Sequence, residues 1–222
     1  MFGQLVRPGD RCIDVGANIG IHTARLAKLA GADGEVIAIE ADKDVLRRAS
    51  HNLGLNRLDN VRLIHAAASE RGGEEVLLYR PADTDPNKAR ASLLPHHHLT
   101  GPAARLRTVA IDDLTADPVT LIKIDVEGHE TEVVMGARRT IAEHSPAIVW
   151  EYAPELRAAR SVTPFGWLAE RGYKLFDIQP YRHRVTGRSQ LRLAPLAELP
   201  KTGTNILAAT PPMAARASAF VG

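Results

Sequence analysis

The segment Asp14-Val15-Gly16-Ala17-Asn18-Ile19-Gly20 sets a carboxylate at the end of an apolar run, with two glycines four residues apart behind it. Glycine lets the chain bend sharply and leaves no Cβ between the backbone and an approaching ligand. The spacing lacks the middle glycine of Gly-x-Gly-x-x-Gly, which lets a dinucleotide pyrophosphate rest against a helix N-terminus. It suits a ligand bearing an ammonium and a carboxylate in place of phosphates. Asp14 would meet the ammonium, while Gly16, Ala17, Asn18 and Gly20, with free backbone N–H groups, would form the floor. By itself the motif is equally a structural strand–turn–helix corner.

Glu40 stands 20 residues after Gly20 and ends a second apolar run. A carboxylate there accepts both hydroxyls of a ribose, a role that neutral side chains fill poorly. In the turn Glu40-Ala41-Asp42 the same acid is otherwise a helix cap or a solvent-facing group, and Ala41 adds a small wall. The small residues of His65-Ala66-Ala67-Ala68-Ser69 leave room for a flat adenine beside Ala67. Amino acid, ribose and adenine together describe S-adenosylmethionine. NAD is the rival, because its enzymes share the ribose acid.

The densest ionisable stretch is Lys123-Ile124-Asp125-Val126-Glu127-Gly128-His129-Glu130, at the end of another apolar run. Asp125 and Glu127 alternate around Val126, so both carboxylates reach one pocket. There they orient a cationic donor or accept a hydroxyl proton. His129 is a base near neutrality or a solvated residue in the first turn of a helix. Asp125 is therefore expected beside the cofactor, and Asp125, Glu127 and His129 are the catalytic candidates. Glu130 suits the N-terminus of that helix. Glu151, which closes Ile148-Val149-Trp150, binds substrate or sits in an ion pair. Asp125 and Glu127 are hard oxygen ligands without a third partner at fixed spacing, so no metal is expected. The run His96-His97-His98 is a substrate lid, a transition-metal binder or a polar loop.

Strand ends must hold these groups. Short apolar runs alternate with helical patterns through the first two-thirds of the chain, as in a parallel sheet with crossover helices. Strands are expected at 11–15, 35–40, 61–66, 76–80, 106–111, 120–126, 147–152, 174–178 and 205–209. Helices are expected at 19–30, 44–55 (capped by Asp42), 128–143 and 164–171. Residues 81–104 form a lid or substrate loop, residues 1–210 one domain, and residues 211–222 a fraying tail. Hydrophobic residues at 45% and charged residues at 24% suit an ordinary globular core. One cysteine, Cys12, forms no internal disulfide and points to the reducing cytoplasm. No apolar run reaches membrane-spanning length. A net charge of +2, scattered arginines and 5% aromatics give no nucleic-acid footprint.

Taken in order, Asp14 to Gly20, Glu40, Asn52, Lys123 to Gly128 and Ile148 to Glu151 closely resemble the FkbM family of S-adenosylmethionine-dependent methyltransferases. The resemblance implies an α/β class I methyltransferase (Rossmann-like) fold: a seven-stranded, mostly parallel sheet with helices on both faces and an antiparallel last strand. It implies O-methylation of a hydroxyl on a sugar, a polyketide or another secondary metabolite. It assigns Asp14, Gly16, Asn18, Gly20 and Glu40 to the cofactor, and Asp125 and Glu127 to the neighbourhood of the methyl group. It also makes Asn52 a brace of the cofactor turn and sets Ser92-Leu93 near the cofactor. His22 stands where many relatives carry an aromatic, and the N-terminal substrate cap of larger relatives is expected to be missing. An NAD-dependent oxidoreductase and a non-catalytic nucleotide-binding module are the rival readings. Methylation of a base nitrogen is opposed, since Asp125-Val126-Glu127-Gly128 replaces the Asn/Asp-Pro-Pro-aromatic loop.

Overall fold

The computed structural model describes residues 1–82, 91–95, 99–152, 164–182, 189–198 and 200–218. The chain opens with α1 (Phe2–Leu5), β1 (Arg11–Val15), α2 (Ile21–Ala30), β2 (Glu35–Glu40), α3 (Lys43–Leu55) and β3 (Val61–His65). A small excursion follows: β4 (Ala67–Ala68), β5 (Glu75–Leu78) and β6 (Ala104–Val109). Then come β7 (Leu121–Ile124), α4 (Glu130–Met135), α5 (Arg138–His144), β8 (Ala147–Tyr152) and α6 (Pro164–Ala169). The chain closes with β9 (Lys174–Arg182), β10 (Ser189–Pro195), β11 (Thr204–Ala209) and α7 (Pro211–Ser218).

Alternation along each strand sorts the side chains to two faces. Cys12, Val36, Leu121, Ala147 and Leu207 pack beneath α1, α2 and α7, whereas Ile13, Ile37, Ile122, Ile148 and Ile206 pack beneath α4, α5 and α6. The main sheet runs β10-β9-β11-β8-β7-β1-β2-β3. β3, β2, β1, β7 and β8 are parallel, and β11 is antiparallel to both β8 and β9. Without β10 this is the expected seven-stranded sheet. The eighth strand hydrogen-bonds antiparallel along β9 at the open edge, and that pairing carries β9 on to Arg182 instead of ending it at 178. β4, β6 and β5 form a second, three-stranded sheet.

Other departures have local causes. Gly20, at φ +86°, is the N-cap of α2 and delays that helix to Ile21. The single helix expected over 128–143 breaks at Gly136, whose carbonyl accepts the Asp112 N–H at 2.9 Å and whose missing Cβ leaves room for the Ser69 carbonyl oxygen. α5 then starts afresh on Asp112, whose carboxylate accepts the Arg139 and Thr140 N–H groups, each at 2.9 Å. The tail expected to fray instead forms α7, which seats Ala214 and Ala217 in the core beside α1. Pro211 at its first position lacks only an N–H that a helix start leaves unused. His96-His97-His98 and 83–90 lie outside the described residues; 91–95 return to the body through a Tyr79–Ser92 bridge. Among the described residues no helix is long and apolar enough to cross a membrane.

Candidate active site

β1 is flanked by β2 on one side and β7 on the other, so the chain direction of the crossovers reverses there. Open α/β sheets bind ligands at that point, beyond the C-terminal strand ends. A cavity of about 190 Å³ opens there. Gly16 and Asn18 line it after β1, Glu40 and Ala41 after β2, Ala67 in β4, and Asp125, Glu127 and His129 after β7. Glu151 of β8 closes the rim, and Leu78, Ala91 and Leu93 give one side an apolar wall.

Glu40 is held on both sides. Its Oε2 accepts the Asn18 N–H and its Oε1 the Asp42 N–H, each at 2.8 Å. Burial raises its pKa, and the two backbone donors oppose that rise. Asn18 tolerates the left-handed backbone, at φ +51°, that turns its N–H towards Glu40. Asp42 caps α3 as expected and also takes the Arg80 guanidinium on both oxygens, at 2.6 and 3.0 Å. Asn52 Nδ2 donates to the Ile19 carbonyl at 2.9 Å and so ties the glycine turn to α3.

Two expectations for the turn fail. Asp14 is fully buried and does not line the cavity. Its Oδ2 accepts the Thr23 hydroxyl at 2.6 Å, and Lys123 Nζ stands 3.2 Å from its Oδ1 as an ion-pair contact outside hydrogen-bond alignment. Nor are the N–H groups of the turn free. Those of Gly16 and Ala17 go to the Ile39 carbonyl, that of Asn18 to Glu40, that of Ile19 to Asn18 Oδ1 and that of Gly20 to the Ala17 carbonyl. Ala17 and Gly20 also stay outside the cavity lining. Gly16 is required for a different reason from the one expected: at φ +72°, a Cβ would meet the Asp125 carbonyl oxygen at 1.8 Å. The neighbour that excludes a side chain is the motif after β7.

Lys123 is not among the expected site residues, although a lysine inside the apolar run Leu121–Ile124 signals a buried ion pair. Its Nζ donates to the Gly16 carbonyl at 3.0 Å and stands 3.5 Å from Asp125 Oδ2. Burial works against its charge, but Asp14 and Asp125 outweigh it and hold the pKa above the ordinary lysine value. One buried cation thus joins the glycine turn to the acidic motif.

That motif is bent. Glu127 has φ +51° and Gly128 φ +98°, and non-glycine residues so placed cluster at functional sites. Ser92 Oγ donates to the Glu127 carbonyl at 3.0 Å, so the loop after β5 locks the bend. Glu130 is turned back to accept the Gly128 N–H, and burial raises its pKa. His129 occupies the N-cap position of α4 without a side-chain capping bond, its Nε2 at 3.1 Å from Ser69 Oγ and its Nδ1 at 3.6 Å from Glu132. Glu151 stands beside Asp125 at the rim of the cavity. Its pKa is raised, first by burial and then by the charge of Asp125. Among the described residues, no three His, Cys, Asp or Glu side chains gather as a metal site.

A mixed sheet of this order, with an acid at the tip of its second strand and a glycine turn at its switch point, defines the class I methyltransferases. S-adenosylmethionine is the cofactor expected of that class. Residues 14–175 match the model of the methyltransferase FkbM domain, and the chain belongs to that family of methyltransferases. It is 26% identical over 184 residues to the 2-O-methyltransferase NoeI of Sinorhizobium fredii, covering 72% of this chain and 73% of that protein. It is 33% identical over 117 residues to an uncharacterized RNA methyltransferase of Streptomyces coelicolor, covering 50% of this chain and 24% of the other. The crystal structure of the methyltransferase FkbM from Methylobacillus flagellatus superimposes with a TM-score of 0.57 at 19% identity. It covers 93% of this chain, which spans 49% of that longer one.

Proposed function

We propose that the chain transfers a methyl group from S-adenosylmethionine to a hydroxyl oxygen of a small molecule, a sugar or secondary metabolite. The observation that carries the reading is Glu40, fixed by two backbone N–H groups at the rim of a cavity whose far side is acidic. Each Glu40 oxygen accepts one N–H and keeps lone-pair capacity for one ribose hydroxyl. Ala66, Ala67 and Ala68, facing Leu78 and Leu93, fit a flat adenine. Ala41 completes the ribose edge. When bound, the cofactor supplies an electrophilic methyl group on a cationic sulfur. Asp125 and Glu127 put negative charge on the side of the cavity that would face that cation.

Asp14 acts through Lys123 and Thr23 in this reading, holding the turn rather than the ligand. The amino-acid carboxylate would instead face the start of α2, where Gly20 offers no side-chain cap to the first-turn N–H groups. The hydroxyl acceptor is supported by NoeI, named a 2-O-methyltransferase. A cytoplasmic enzyme suits the lone buried Cys12, and its domain body runs past 210 through α7.

Calorimetry with S-adenosylhomocysteine and with NADH tests the cofactor. Heat with the first and none with the second is the expected result, and no heat with the first defeats the reading. Labelled donor offered methyl glycosides, natural-product alcohols and an RNA fragment then tests the acceptor. Label on the RNA alone would replace the small-molecule reading.

A further inference from the structure

We propose that Glu151, paired with Asp125, takes the proton from the acceptor hydroxyl as the methyl group is transferred. The inference rests on the O-methyltransferase reading of the cavity and names its base.

Register brings the two acids together. β7 and β8 are parallel and set Ile124 beside Trp150. The next residues, Asp125 just past the end of β7 and Glu151 within β8, therefore lie side by side, roughly 4.8 Å apart at the backbone. Trp150 is buried beneath them, while Glu151 is open to the cavity that Asp125 also lines. A carboxylate beside another carboxylate holds a proton more strongly than it would alone. Lys123 stands 3.5 Å from Asp125 Oδ2, so its positive charge lies on the Asp125 side of the pair. Among the described residues the other groups facing Glu151 push the same way: Glu127 from the loop after β7 and Glu130 from α4 are both acidic, and β11 presents the neutral Asn205. Burial and this acidic surround raise the Glu151 pKa, which brings its basicity closer to what general-base catalysis near neutrality needs. His129 is less suited, because its two ring nitrogens already face Ser69 and Glu132.

The step balances. The acceptor oxygen bonds to the methyl carbon, the carbon–sulfur bond breaks with its electron pair passing to sulfur, and the hydroxyl proton passes to the Glu151 carboxylate and then to water.

Glu151→Gln tests this, with labelled donor and two kinds of acceptor: methyl glycosides, whose hydroxyls need a base, and 4-nitrophenol, which is ionised just above neutrality. The variant should bind S-adenosylhomocysteine within about twofold of wild type, lose about 100-fold or more in methylation of the glycosides, and keep its rate with 4-nitrophenol. Carboxyl NMR titration of the S-adenosylhomocysteine complex should show a Glu151 signal titrating above ordinary glutamates and shifting down in Asp125→Asn. Unchanged glycoside methylation in Glu151→Gln, equal loss with both acceptors, or an ordinary Glu151 titration overturns the proposal alone. A wild-type protein that methylates no hydroxyl removes the O-methyltransferase reading and this base with it.

Discussion

Replacing Lys123 with Met keeps the length and apolar stem of the side chain and removes only its ammonium. That ammonium stands 3.2 Å from Asp14 Oδ1 and 3.5 Å from Asp125 Oδ2, and donates to the Gly16 carbonyl at 3.0 Å. Asp14 is wholly buried, so its charge would be left with the Thr23 hydroxyl alone. Taking away one partner of a buried pair costs about 3–5 kcal/mol. Asp125 is partly exposed and recovers solvation from water, which places the expected loss at the lower end, about 3 kcal/mol. For a chain of this size that lowers Tm by roughly 6–12 °C. Urea unfolding of wild type, Lys123→Met, Asp14→Asn and the double variant closes a cycle. The double variant should regain much of the loss, with a coupling of about 2 kcal/mol. A single-variant loss below about 1 kcal/mol, the range of surface pairs, or a coupling near zero would refute the claim that Lys123 neutralises Asp14.

Gly16→Ala forces a Cβ onto the Asp125 carbonyl from a left-handed backbone and should cost about 2–4 kcal/mol in urea unfolding while weakening S-adenosylhomocysteine binding. Glu40→Gln should lower S-adenosylhomocysteine affinity about tenfold or more by calorimetry, equivalent to about 1.4 kcal/mol, with the fold intact by circular dichroism. Lys123 gives a pH signature: with its folded pKa above the unfolded 10.5, its stabilisation is complete below that pH and is lost as pH climbs through the folded value. The difference between the wild-type and Lys123→Met urea midpoints should therefore shrink at strongly alkaline pH, and a constant difference would contradict the ion pair.

The backbone frame of the site was legible wherever its cause is local. Apolar runs with an acid at their last or next-to-last position gave β1, β2 and β8 their observed limits, and Asp42 announced the start of α3 because its carboxylate accepts N–H groups two and three residues ahead. Glu40 at the tip of β2 lines the cavity, as the spacing from the glycine turn suggested. β10 escaped because its interspersed polar residues suit an edge strand, which has no continuous apolar run. The break between α4 and α5 escaped because it depends on contact with Asp112 and Ser69, far along the chain.

Periodicity, turn chemistry and caps act within a few residues, so the amino-acid order alone determined the α/β alternation, the strand ends and the family. Strand order and register act between distant segments, and only they could bury Asp14, occupy every N–H of the glycine turn, and bring Lys123 beside Gly16, 107 positions away. Alternation says that a side chain lies on one face or the other. It does not say which neighbour waits there, and that neighbour decides whether an acid touches a ligand, a lysine or another acid.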